Sequence, residues 1–289
     1  MTILVTGATG ALGHLVIDAL LARGIAPAQI VAGARTPAKA ADLAERGVTV
    51  VPLDYDDTSS VEGAFAGVDR VLLISGSEVG KRTAQHLAVI EAAARAGVKH
   101  LVYTSLANVE RSSLALAPEH LATERAIAES GLPATILRND WYAENYVANL
   151  DQAEATGVLL SATHGGRVSA AARADYAAAA AVVLADDAHV GKVYELAGEP
   201  VTYDEIAAAI GEAVGREVVH HDVSAVEFRA ALERAGLDAG TIGFLEGLDA
   251  GIAAGDLDVE DPTLTELIGR PTTSLVEVLR AARVANAAA

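Results

Sequence analysis

Met1-Thr-Ile-Leu-Val-Thr-Gly-Ala-Thr-Gly-Ala-Leu-Gly13 opens the chain and decides its fold. Ile3, Leu4 and Val5 form a short apolar run, the mark of a strand buried on both faces. Gly7, Gly10 and Gly13 follow at a spacing of three, and the residues from Leu12 to Arg23 carry the period of a helix. A glycine turn between a buried strand and a helix gathers free backbone N–H groups and the positive end of a helix dipole at one point, which suits a pyrophosphate. Gly7 permits the tight turn, Gly10 the approach of phosphate to backbone, and Gly13 the close packing of helix on strand.

Working outward, strands and helices alternate. Strands are predicted from Gln29 to Ala34, Val48 to Leu53, Asp69 to Ser75, His100 to Ser105 and Ala134 to Arg138. Between them, helices are expected from Thr36 with Pro37 in the first turn, and over Thr58 to Phe65, Lys81 to Gly97 and Pro118 to Ser130. This alternation predicts an α/β protein with a Rossmann-type, doubly wound parallel sheet whose ligand crevice lies at the carboxyl ends of the strands. Past residue 150 the rhythm changes. An alanine-rich helix is expected from Asp175 to Ala185 and a strand from Lys192 to Ala197 that rejoins the main sheet. A helix from Thr202 to Val214 starts with the capping box Thr202/Glu205. A short strand from Glu217 to His221, helices over Ala225–Ala235 and Thr241–Ala254, an acidic loop and a last helix complete the chain. The expected division is a dinucleotide-binding domain over 1–155, completed by the strand near 192–197, and a smaller C-terminal α/β domain on the substrate side over 156–289.

The 289 residues are 52% hydrophobic and 21% charged, enough to bury a sizeable core. The apolar runs are too short for a membrane span of about 20 residues, and the first strand leaves no room for a signal peptide. With no cysteine, disulfides, thiolate metal sites and cysteine nucleophiles are excluded, which fits a cytoplasmic protein; no metal site is expected. A net charge of −18 argues against nucleic acid as a partner and accounts for solubility.

The end of the second strand distinguishes the two nicotinamide cofactors. A carboxylate there would bind the ribose 2′-hydroxyl, whereas a guanidinium accommodates a 2′-phosphate. The residue is Arg35, with Lys39 a turn later, so NADPH is expected over NADH. Asp54, closing the third strand, is placed either to accept a bond from adenine or to cap the next helix. The Tyr–Lys pair, four residues apart, by which most short-chain dehydrogenases protonate a carbonyl is missing: none of Lys39, Lys81, Lys99 and Lys192 has a tyrosine four residues earlier. Where the pair would stand, the sequence reads Glu119-His-Leu-Ala-Thr-Glu124. His120 is a candidate proton donor near neutral pH; the alternative is a structural histidine.

The glycine spacing, Gly-x-x-Gly-x-x-Gly, is the short-chain dehydrogenase variant, and longer segments extend the likeness over nearly the whole chain. They are Thr6–Gly13, Leu73-Ile-Ser-Gly-Ser-Glu-Val-Gly80, Tyr103-Thr-Ser-Leu106, Glu119–Glu124, Leu137-Arg-Asn-Asp-Trp-Tyr-Ala-Glu-Asn145, Arg173-Ala-Asp-Tyr176 and Leu267-Ile-Gly-Arg-Pro-Thr-Thr273. On these the chain resembles the NmrA-like atypical short-chain dehydrogenases, and among them the bacterial type 2 NAD(P)H:quinone oxidoreductases. The triphenylmethane reductases are similar too, less so around Ser75–Gly80. The resemblance implies that Gly7, Ala8, Thr9, Gly10, Ala11 and Leu12 wrap the pyrophosphate of NADP and that Arg35 takes its 2′-phosphate. It implies that Ser75, Gly76, Ser77, Glu78 and Val79 run along the nicotinamide half. Asn139, Asp140, Trp141, Tyr142, Ala143 and Glu144 would contact the nicotinamide, and Arg173 would approach from the second part of the chain. Trp141 and Tyr142 would also suit a flat pocket for an aromatic acceptor, packing being the plainer role for both.

The expected reaction is direct hydride transfer from NADPH to a small quinone, without flavin. The charge developing on a quinone spreads over its ring and two oxygens, so a strong general acid is less needed, and water or His120 would supply the proton. A redox sensor that binds dinucleotide without turnover, and reduction of triphenylmethane-type dyes, are the competing expectations. Either a monomer or a homodimer is compatible with the sequence.

Overall fold

Every residue of β1 (Ile3–Val5), β2 (Ile30–Ala34) and β4 (Arg70–Leu73) is buried, as strands covered on both faces must be. The computed structural model describes residues 1–288. With β3 (Thr49–Pro52), β5 (His100–Leu106), β6 (Ala134–Asn139) and β9 (Val193–Leu196), these strands form a seven-stranded parallel sheet in the order β3-β2-β1-β4-β5-β6-β9. The chain winds outward from β1 to β3 on one side, then returns to β4 on the other. The order therefore reverses between β1 and β4, and a crevice opens beyond their carboxyl ends.

Helices cover both faces. On one, α1 (Ala11–Ala22) lies along α7 (Arg173–Ala185), and α11 (Thr263–Ile268) packs beside α7. Ala177, Ala179, Ala180 and Ala181 are all buried there; with no side chain beyond Cβ they let the two helices approach closely over Val16, Ile17 and Leu20. On the opposite face α3 (Thr58–Ala64), α4 (Arg82–Ala96) and α5 (Ala117–Ser130) enclose Leu4, Val71, Leu73, Val89, Leu101 and Ile127. A third core, over Leu159, Ile206, Ile210, Leu248, Ile252 and Leu279, holds the remainder together. It is built from α6 (Leu150–Thr156), α8 (Tyr203–Val214), α10 (Ala239–Ala253), α12 (Leu275–Ala288) and two small strand pairs, with α9 (Ala225–Arg234) beside α10. In one pair β7 (Val158–Ser161) runs parallel to β11 (Val219–Asp222), and in the other β8 (Arg167–Val168) runs antiparallel to β10 (Val201–Thr202).

Some local expectations differ from the structure for identifiable reasons. The strand predicted to reach Ser75 ends at Leu73, because the amides of Ile74 and Ser75 turn to the hydroxyls of Thr6 (2.9 Å) and Thr104 (3.0 Å). The helix expected from Thr36 is a 3-10 turn, Pro37–Ala40, running into the short α2 (Ala41–Glu45), with no side-chain cap at Thr36. The cap of α3 is Asp57, which accepts from the amides of Ser59 and Ser60. Asp54, offered above as that cap, instead accepts from Asp56 N–H at 3.1 Å and lines the crevice. Segments α6, β7, β8 and β10 carry no period of their own; each is fixed by the tertiary core. The capping box at Thr202 and Glu205 forms as predicted.

Candidate dinucleotide cleft

The turn after β1 is built around one left-handed residue, Gly7, at φ +58°. Gly10 N–H donates to Gly7 O at 2.9 Å and Ala8 N–H to Gly33 O at 3.0 Å, which ties the turn to itself and to β2. A Cβ on Gly13 would overlap Gly7 O and stand 2.9 Å from Ala8 Cα, so α1 rests directly on the turn. The helix starts at Ala11 without a side-chain cap, and the N–H groups of its first turn have no intrahelical acceptor. Ala8 and Leu12 are buried beneath the turn, whereas Thr9, Gly10 and Ala11 are exposed on it. This is an anion cradle in front of a helix N-terminus.

A cavity of about 290 Å³ runs from the turn along the strand ends. Gly7, Thr9, Gly10, Arg35, Ser75, Gly76, Ser77 and Glu78 all line it, joined by Asp54, Tyr55 and Gln85. Arg35, at the end of β2, meets Glu78 at 3.2 Å, and Lys81 holds the other oxygen of the same carboxylate at 2.9 Å. The Lys81 ammonium is the main reason the Glu78 carboxyl is held below the ordinary glutamate range.

The segment from Ser75 to Gly80 hangs on α4 and α5. Gly76 N–H donates to Nε2 of His86 at 3.0 Å, and Gly80 N–H reaches both carboxylate oxygens of Glu119, at 3.1 and 3.2 Å. Nδ1 of His86 lies 2.9 Å from the hydroxyl of Thr123, and that hydroxyl donates to Glu119 O at 2.8 Å. Because the Thr123 proton is already committed, His86 donates from Nδ1 and accepts at Nε2, which fixes one neutral tautomer. Burial, with the nearby Arg82 guanidinium, brings the His86 pKa down to about 4. His86, Thr123 and the loop-holding role of Glu119 escaped the sequence reading; only the Glu119–Glu124 segment pointed near them.

Beyond β6 a second group gathers. Asn139 is 4% exposed and its Oδ1 has no hydrogen-bond partner. Asp140 accepts from Trp141 N–H at 2.6 Å through Oδ1, leaves Oδ2 unpartnered, and is pushed by burial well above the usual carboxylate range. Glu144 accepts from the N–H of Arg173 at 3.0 Å, pinning the first residue of α7. The Arg173 guanidinium lies 4.9 Å over the ring of Tyr142 and donates to Asn145. Ala143 is buried, and its N–H reaches Ala171 O. Asp175, fully buried, accepts from Arg270 at 2.6 Å and from Thr273 N–H at 2.7 Å, so two distant motifs, Arg173–Tyr176 and Leu267–Thr273, meet in space. Val79, by contrast, is exposed and does not line the cavity.

His120 is placed differently from the expectation of a proton donor. It is 5% exposed, its Nδ1 lies 2.8 Å from the Tyr103 hydroxyl, and burial lowers its pKa to about 3. An imidazole so held is neutral throughout the physiological range and sealed from solvent, which is the structural alternative. Its helix neighbour Glu124 pairs with Arg138 at 2.7 Å.

Trp141 borders a separate small apolar pocket of about 40 Å³ with Leu114, Leu116, Gly243, Phe244, Gly247 and Leu248. A Cβ on Gly243 or Gly247 would meet nothing within 4 Å, so the glycines keep this side of the pocket open.

Fold and cleft together define a dinucleotide-binding protein, and the chain belongs to the NmrA-like family, whose model matches residues 1–239. It is 47% identical over 276 residues to quinone oxidoreductase 2 of Escherichia coli, covering 95% of this chain and 96% of that protein. The crystal structure of NADPH-dependent quinone oxidoreductase from Escherichia coli complexed with NADPH superposes with a TM-score of 0.92 at 46% identity, over 97% of this chain and 99% of that one. Triphenylmethane reductase of Citrobacter sp., complexed with NADP(H), also reaches a TM-score of 0.92, at 38% identity over 98% and 100% of the two chains.

Proposed function

We propose that this chain is an NADPH-dependent oxidoreductase that transfers hydride directly to a small quinone. The observation that carries the reading is the cradle at Gly7–Leu12 opening on a cavity whose rim cation is Arg35, in a chain 47% identical to a quinone oxidoreductase. The residues fit the cofactor. The N–H groups at the start of α1, which lack an intrahelical acceptor, suit a pyrophosphate, and the guanidinium suits a 2′-phosphate. The buried, unpartnered Oδ1 of Asn139 is an acceptor matched to a carboxamide N–H.

When bound, NADPH supplies the hydride. The protein's residues position and shield. Gly7–Leu12 hold the pyrophosphate, Ser75–Ser77 line the path toward the nicotinamide, and Asn139 orients its amide. Asp140–Glu144 and Arg173 form the wall behind, with Glu144 fixing the start of α7. The small apolar pocket beside Trp141, lined also by Phe244 and Leu248, offers an apolar surface against which the flat acceptor rests. Hydride and one proton convert quinone to hydroquinone; since His120 is neutral and sealed, the proton comes from water at the pocket mouth.

The same proposal assigns residues 1–155 with β9 to the cofactor and those from 156 to the acceptor side, with α7 contributed by the second to the first. It places the protein in the cytoplasm, acting as a monomer or homodimer; among the described residues no helix is long and apolar enough to cross a membrane. A second reading, dye reduction, is favoured by the match to the triphenylmethane reductase. The test is nicotinamide oxidation followed by absorbance, with NADPH and NADH in parallel, against benzoquinone, menadione and a triphenylmethane dye. Turnover with quinones and NADPH supports the proposal. Tight NADPH binding without turnover on any acceptor would replace it with a sensor.

A further inference from the structure

The two cations at the phosphate end of the cleft are already engaged by a carboxylate of this same chain. Arg35 follows β2 and Lys81 stands just before α4, and Glu78 spans them with one oxygen to each. The segment carrying Glu78 is held at both flanks, through Gly76 to His86 and through Gly80 to Glu119. Between those anchors the Glu78 side chain bonds, among the described residues, only to the two cations, so it can swing without moving the loop.

We propose that Glu78 is a carboxylate latch that imitates and competes with the 2′-phosphate for Arg35, and so sets how strongly the cleft prefers NADPH to NADH. This rests on the dinucleotide reading above. A 2′-phosphate carries nearly two negative charges and three acceptor oxygens, so it outbids a single carboxylate for a guanidinium, but only after Glu78 lets go. The carboxylate left behind remains on Lys81 and repels the incoming phosphate. With a net charge of −18 on the chain and Asp54 and Asp56 close by, few positive groups offset that repulsion. NADH, with a neutral 2′-hydroxyl, neither competes for Arg35 nor meets the repulsion. The latch therefore weakens NADPH binding selectively, and Glu78 acts against the preference that Arg35 creates.

The experiment is isothermal titration calorimetry of NADPH, NADH and 2′,5′-ADP into the full chain at low ionic strength. The proteins are wild type, Glu78→Gln, Arg35→Ala and the double variant, with circular dichroism as a folding check. Glu78→Gln keeps the size of the side chain and removes its charge. Expected is a Kd for NADPH and 2′,5′-ADP lower by about fivefold, the scale of one exposed ion pair and its repulsion. The NADH Kd should stay within about twofold, and the gain should shrink in the Arg35→Ala background to the part that repulsion alone supplies. An unchanged or weaker NADPH Kd in Glu78→Gln overturns the latch, as does an equal gain for NADH. A folded wild type that binds neither nucleotide overturns the dinucleotide reading itself, and the latch with it.

Discussion

His86 ties cleft geometry to pH, and its protonation has a calculable cost. The ring is 1% exposed, accepts Gly76 N–H at Nε2 and has its pKa lowered from 6.5 to about 4. The folded state therefore prefers the neutral ring. Its contribution to stability is fully present above the unfolded value of 6.5 and is lost as pH falls toward the folded value of about 4. Protonation turns the Nε2 acceptor into a donor facing another donor, so the Ser75–Gly80 segment loses its anchor in the same step. Between about pH 7.5 and about pH 5 this single residue removes about 2 kcal/mol of folding stability, the linkage integral over that window. His86→Leu fills the space but cannot titrate; at the higher pH it costs about 1–3 kcal/mol through the unpaired Gly76 amide. Urea unfolding at both pH values, followed by the fluorescence of the one tryptophan, Trp141, measures both effects. The pH-dependent loss should be smaller in His86→Leu by about 2 kcal/mol than in wild type. Equal losses in the two proteins would refute the assignment of His86 as a buried, neutral anchor.

Three further outcomes follow from the same geometry. Gly13→Ala forces a Cβ against Gly7 O and Ala8 Cα, so α1 must lift from the turn; a loss of about 1–3 kcal/mol in urea unfolding, with weaker NADPH binding by calorimetry, is expected. His120→Phe should leave the pH profile of quinone turnover unchanged between about pH 6 and 8, because the imidazole does not titrate there; a lost basic limb would restore it as the proton donor. Gly247→Leu should fill the pocket beside Trp141 and raise KM for menadione while leaving the calorimetric Kd for NADPH within about twofold; unaltered quinone kinetics would place the acceptor elsewhere.

The parts of this protein that local residues control were legible in the chain. Ile3–Val5, the three glycines and the periodic helix behind them are contiguous, and their chemistry admits one local solution. Arg35 reaches the crevice because a strand of known start delivers the residue that follows it to the sheet's carboxyl edge. The box at Thr202 and Glu205 spans a single helical turn. Tertiary structure decided the rest. His86 reads as one more helix residue until α4 brings it under Gly76 and α5 brings Thr123 to its other nitrogen. For His120 both a proton donor and a structural histidine stayed open, because its neighbours in sequence say nothing of the sheet that buries it. Glu78, forty-three residues from Arg35, shows its ion pair with that cation only once β2 and the loop after β4 lie side by side. A local pattern fixes backbone conformation through neighbouring residues. Burial, tautomer and ion pairing depend on which distant elements the core draws together, and the linear order of residues does not record those distances.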